Sequence, residues 1–229
     1  MTDPLNQAGN SNAQKPVQTG AEARSLKRML KHFQPMTEEN IKKYKEYLDQ
    51  ANKFADIFIK HGDRPPVDMV GWVGEWTTAV KLHSLKISAM KLGAQSKYDF
   101  LLSTAKGLEV RTSIFKHEGF YKTDKGEINY FGWKIKTWDK DLKFDYLVCI
   151  GFPSGISDPR FFVFPRDVAE SVESLKFGQF QKVEKGLHIF KTIEEARLAA
   201  KLRPDVMTPR KLWINEHLSK FEDKWDIIR

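Results

Sequence analysis

The hydrophobic pattern changes period once, close to Gly93, so the chain has to combine a helical layer with a sheet. Upstream, Ile41, Tyr44, Leu48, Ala51, Ala55 and Phe58 recur at helical spacing. Thr37 caps that segment and Glu38 and Glu39 fill its first turn, which predicts a helix running to about His61. Gly62-Asp63-Arg64-Pro65-Pro66 breaks it. A further helix is predicted over about Val70–Leu92, carrying Val73, Trp76, Val80 and Leu85, with Gly93 as its stop. Before both comes a basic helix, Ala21–His32, ended by Gln34-Pro35.

Downstream the period is that of strands. Tyr98–Leu102 and Leu108–Phe115 are joined by five residues, Phe120–Lys122 and Asn129–Trp138 flank Asp124-Lys125-Gly126, and Phe144–Phe152 and Arg160–Phe164 are strongly apolar. A short helix over Arg166–Leu175, a strand at Leu187–Phe190 and a helix at Ile193–Leu202 complete the pattern. The order predicts a mixed α/β or α+β fold. The expected organisation is a disordered tail (1–20), an N-terminal helical region (21–66), a core (67–203) and a basic C-terminal segment (204–229).

Charge narrows the partners. Thirty-eight Lys and Arg against 30 Asp and Glu leave a net charge of +8, which favours polyanions, nucleic acid first. The single cysteine, Cys149, lies in the apolar run Tyr146–Ile150 and reads as a buried hydrophobe; it permits neither an internal disulfide nor a multi-cysteine zinc site. No run has the length of a membrane span and the first twenty residues lack the apolar core of a signal peptide, so a cytoplasmic protein without a membrane partner is expected. The six histidines are scattered, and neither a phosphate-binding loop nor Gly-x-Gly-x-x-Gly occurs, which argues against nucleotide-dependent chemistry.

The chemically informative stretch runs from Lys97 to Ser113. On a strand at 108–115, Glu109 and Arg111 share one face while Leu108 and Val110 point the other way. Asp99 lies on the preceding strand, within reach of Glu109 across the connection. Two carboxylates with a cation beside them form the oxygen-rich setting that Mg2+ takes, with water and phosphate filling its remaining positions. The same residues also suit a half-solvated strand surface. Glu75 follows Gly74 inside an otherwise apolar helical stripe, where a carboxylate needs a partner or a function. Thr112 and Ser113 follow the charged pair. In the aromatic and basic hairpin around Tyr130–Trp138, Lys134 and Lys136 are candidate DNA contacts and alternate aromatics are core.

In their order and spacing, Glu75, Asp99 and Glu109-Val110-Arg111, followed by Asp145-Tyr-Leu-Val and Phe162-Val-Phe-Pro165, resemble the PD-(D/E)xK nuclease superfamily of restriction endonucleases and junction resolvases. The likeness covers about Trp72 to Ser174. It implies a restriction-endonuclease-like central mixed sheet flanked by helices, and hydrolysis of DNA phosphodiester bonds with Mg2+ (or Mn2+) held by Asp99 and Glu109. Glu75 would act through water, Arg111 would stabilise charge, and Lys106, Thr112, Ser113, Lys134 and Lys136 would meet DNA. It also implies a homodimer, since two strands need two sites. Tyr98 replaces the proline of the family name, and Arg111 replaces its usual lysine. An arginine keeps its proton, so it cannot be a general base; metal-bound water or a nearby lysine (Lys106, Lys134 or Lys136) would take that part. A DNA-binding module with a relict nuclease fold, and an assembly protein with a basic face, are the alternatives.

Overall fold

Helices and strands do divide close to the change of period. The computed structural model describes residue 28 and residues 30–61, 63–93, 96–114, 121–124, 126–135, 144–153, 156–172, 174–177 and 182–228. The chain forms two units, Met1–Phe33 and Gln34–Arg229. In the first, Arg28, Leu30 and Lys31 are helical; the expected tail, 1–20, lies outside the described residues, as does most of the basic helix.

In the second unit, helix α1 (Glu38–Lys60) begins with a reciprocal cap: Thr37 Oγ1 accepts from the Asn40 amide (3.3 Å) and Asn40 Oδ1 from the Thr37 amide (3.0 Å). Ile41, Ala51 and Ala55 are its buried side. Helix α2 (Val67–Ser84) starts straight after Pro66. It does not reach Leu92. The Leu82 carbonyl accepts the Ile87 amide (2.9 Å), His83 accepts Lys86 (2.9 Å), and Lys86 sits at φ 58°. That is the ending usually made on glycine, here made on a lysine, so the sequence carries no stop signal. The residues that follow form strand β1 (Ala89–Lys91).

β1, β2 (Phe100–Leu102) and β3 (Gly107–Ile114) form an antiparallel meander; β7 (Tyr146–Phe152) joins β3 in parallel, and β8 (Arg160–Pro165) joins β7 antiparallel, in the order β1-β2-β3-β7-β8. Both faces of β7 are covered, which explains its unbroken apolar sequence. Val148, Ile150 and Phe152 pack with α1, α2 and the C-terminal Trp225 and Ile228. Leu147 and Cys149 pack with Phe131, Trp133, Leu187 and Ile189 of a second sheet. That sheet has the order β6-β10-β9, built from β6 (Tyr130–Ile135), β9 (Ser174–Phe177) and β10 (Lys182–Phe190); β4 (Lys122–Thr123) and β5 (Gly126–Glu127) form a separate small hairpin. Trp133 ties the two sheets, its Nε1 donating to the Ile150 carbonyl (3.0 Å).

The helix expected over Arg166–Leu175 is shorter, α3 (Arg166–Ser171), because Val172 turns to extended backbone and is buried; β9 follows. Helix α4 (Ile193–Leu202) has the expected bounds, opened by a Thr192–Glu195 capping box. The residues read as a basic tail carry α5 (Pro209–Glu216) and two 3-10 turns, and Ile214, Phe221, Trp225 and Ile228 are buried, so this segment is part of the packing. Among the described residues no helix is long and apolar enough to cross a membrane.

Helix α2 approaches β3 through Gly74, where a Cβ would stand 1.8 Å from Thr112 Oγ1. Gly74→Ala is therefore expected to lower stability by about 1–2 kcal/mol through overpacking, read by urea denaturation, and Thr112→Ala in the same chain should recover most of the loss.

Candidate functional site

β2 is short, and its last strand partner pair, Phe100 with Leu108, sets the geometry. The Asp99 amide donates to the Leu108 carbonyl (3.0 Å), after which the next outward amide of β3, that of Val110, has no strand residue to meet. Asp99 Oδ2 takes it, at 2.7 Å. The aspartate thus continues the sheet with its side chain. At the start of β3, Asp145 Oδ2 accepts the Gly107 amide (2.8 Å) while the Tyr98 ring lies against Gly107, where a Cβ would meet the ring at 2.6 Å.

Glu109 lies on the face of β3 opposite Leu108 and Val110, which belong to the α1–α2 core. It is buried and ion-paired with Arg111, whose Nη1 also donates to the Val110 carbonyl (3.2 Å). Glu75 on α2 pairs with Lys91 on β1 at 2.6 Å, each side chain about three-quarters buried.

Asp99 joins these pairs. Burial pushes its carboxyl above the ordinary range; the Val110 amide opposes that, the charge of Glu75 adds to it, and Arg111 and Lys91 pull the other way. Glu75, Asp99 and Arg111 therefore share one electrostatic neighbourhood, and Glu109 enters it through Arg111. An acid with a raised folded-state value favours folding at low pH, and that contribution is lost as pH rises through it. Asp99→Asn keeps an oxygen for the Val110 amide and removes the desolvated charge. In EDTA at neutral pH the variant is expected to melt above the wild type, and the difference should shrink in acid; an equal or lower neutral-pH melting temperature would contradict this account.

The remaining candidates are dispersed. Lys106 Nζ donates to the Tyr146 hydroxyl (2.8 Å) and lies 5.1 Å from the centre of its ring. Thr112 is beneath Gly74. Ser113, on the other face of β3, is buried; its Oγ donates to the Ile114 carbonyl (3.1 Å) and accepts the Gly132 amide (3.1 Å), joining β3 to β6. Lys134 is exposed on β6, and Lys136 lies outside the described residues. Cys149 is wholly buried and its thiol is pushed upward by that burial, which removes it as a nucleophile.

Two participants escaped the sequence reading. Lys91 falls in the stretch predicted as helix, so its place beside Glu75 had no signal. Asp145 precedes an apolar strand, and an aspartate at a strand entry is the available hint of an amide acceptor.

Among the described residues, no group of three or more His, Cys, Asp and Glu side chains could hold a metal ion. Asp99, just ahead of β2, is held on the Val110 amide, and Glu109, on β3, is held on Arg111. Two carboxylates are as many as Mg2+ commonly takes from a protein, with waters and substrate phosphate for the rest. Asp99 in particular carries a burial penalty that a cation would relieve. No family model matches this chain, and no curated protein is significantly similar to it in sequence.

Proposed function

We propose that the chain is a metal-dependent endonuclease acting on duplex DNA in the manner of the PD-(D/E)xK nucleases. The observation that carries this reading is the partly buried Asp99 at the head of β2, which feels the charges of Glu75 on α2 and of Arg111 on β3, with Arg111 in turn paired to Glu109. A five-stranded mixed sheet with helix α2 on one face supports it, since the family puts one acid on an early helix and the others on consecutive strands.

Asp99 and Glu109 would hold Mg2+ or Mn2+. When bound, the ion supplies a Lewis acid toward the phosphate and lowers the pKa of a coordinated water. Arg111, beside Glu109, would stabilise the charge that develops on a phosphate oxygen in displacement. It keeps its proton throughout. Lys91, paired with Glu75, is a further cation acting on Asp99, and Lys106 is committed to Tyr146. The net charge of +8 favours the polyanionic substrate.

The pairing of Glu75 with Lys91 and of Glu109 with Arg111 favours a second reading, a DNA-binding module in which cations have taken the place of a metal. Incubation of purified protein with plasmid and genomic DNA, with Mg2+ or with EDTA, separates the two on a gel. Discrete fragments or smearing that require Mg2+ support the nuclease. Retardation unaffected by EDTA, with no nicked product, supports the binder. Neither cleavage nor retardation at physiological salt removes both.

A further inference from the structure

Five of the seven large hydrophobic residues that remain exposed among the described residues lie on one hairpin, α1–α2: Tyr47 (42 %), Phe54 (48 %), Ile57 (54 %), Val67 (86 %) and Trp72 (55 %). They are not scattered. On α1, Tyr47, Phe54 and Ile57 are seven and three positions apart, which places them on one stripe. The Tyr47 ring meets Trp76 at 5.2 Å and Trp72 meets Trp76 at 6.5 Å, so the stripe crosses onto α2 without a polar gap. With about half of each side chain uncovered, it offers roughly 500 Å² of apolar surface, within the size range at which exposed patches on soluble proteins are functional.

Charge decides what covers it. A surface for nucleic acid or an anionic membrane carries a basic rim. Helix α1 instead has five lysines and five acids, in a chain with an excess of eight positive charges. Glu46 and Lys53 are both exposed and seven positions apart, hence on the same flank of the stripe. When two α1 helices run antiparallel about a twofold axis and Tyr47 meets Phe54 of the other copy, Glu46 comes opposite Lys53, and the match repeats at the symmetry-related position. The apolar patch is over half of the ~800 Å² that each partner gives to a standard interface, with this polar rim to supply the remainder.

We propose that the α1–α2 stripe is a self-association surface on which two copies of the chain pair about a twofold axis, α1 against antiparallel α1. No residue of the acidic site takes part, so the proposal stands or falls apart from the nuclease reading. A dimer without cleavage leaves it intact, and a monomeric nuclease overturns it.

Light scattering after size exclusion and sedimentation velocity, on the full chain across a wide concentration range, read the result. The expected mass is twice the chain mass of 26.6 kDa. Trp72→Glu and Phe54→Glu, both at exposed positions, should return the protein to the monomer with an unchanged circular dichroism spectrum. Glu46→Lys should weaken the dimer at least tenfold, and adding Lys53→Glu should restore it, since the reversed pair keeps the cross-copy match. A monomer at every concentration overturns the proposal, and so does a dimer indifferent to all four changes. A monomer in which Trp72 fluorescence resists a soluble quencher also overturns it, giving the stripe to a segment of the chain itself.

Discussion

Glu109→Gln is expected to reduce magnesium-dependent cleavage of duplex DNA by on the order of 10³-fold or more, with folding and DNA affinity largely kept. Loss of one of the two carboxylates proposed to hold the ion would remove several kcal/mol of charge stabilisation, and each 1.36 kcal/mol is about tenfold in rate. Glutamine has nearly the shape of glutamate and can still accept from Arg111, so the buried position on β3 is not emptied. Asp99→Asn serves as an independent arm, because its amide oxygen continues to accept from Val110 and the end of β2 stays in place. The measurement is a single-turnover rate on one labelled duplex, with binding read by gel retardation at fixed salt. Wild-type rates in both variants would remove the site. Loss of binding together with cleavage would instead assign these residues to the fold or the DNA surface.

How far the sequence foretold this arrangement depends on where the information was local. Helix α4 has the bounds expected from the sequence, and a Thr192–Glu195 capping box opens it. β7 and β8 were legible from their apolar runs, since burial on both faces leaves no alternation to misread. The end of α2 was not, because Lys86 adopts a left-handed conformation that lysine seldom advertises. That error hid β1, and with it the cation next to Glu75. Glu109 and Arg111 were placed on one face by strand parity alone, and the structure pairs them. Their relation to Asp99 was open, because it depends on how far β2 extends along β3; the strand stops at Phe100 and the aspartate takes over an amide. Thr112 and Ser113 show the limit of the same parity. Adjacent residues of a strand face opposite ways, so one meets α2 and the other meets β6, and they cannot form one surface.

Arg111 separates a structural ion pair from a working one, and the expected result is a split between stability and activity. Arg111→Met leaves Glu109 buried and deprived of its cation. The pair is partly exposed on the arginine side, at 30 % against 11 % for Glu109, so the loss falls below that of a fully buried pair, at about 2–3 kcal/mol. Adding Glu109→Gln removes the stranded charge, and the double variant is expected to recover most of that stability in urea denaturation. Cleavage should not recover with it. If Arg111 served only to neutralise Glu109, stability would follow the same cycle and no charge-stabilising role would remain for it. Arg111→Lys provides the discriminating case. A lysine keeps the charge beside Glu109 but loses the fork that reaches the Val110 carbonyl and a phosphate together. Near-wild-type stability is expected, because the local charge balance is unchanged. Cleavage that holds or rises shows that a cation at this position is what the reaction needs, as in nucleases with lysine here. Cleavage that collapses in a stable protein shows that the guanidinium geometry is required. A protein stable in all three forms and inactive in all, wild type included, leaves Glu109 and Arg111 as an ion pair within a DNA-binding fold.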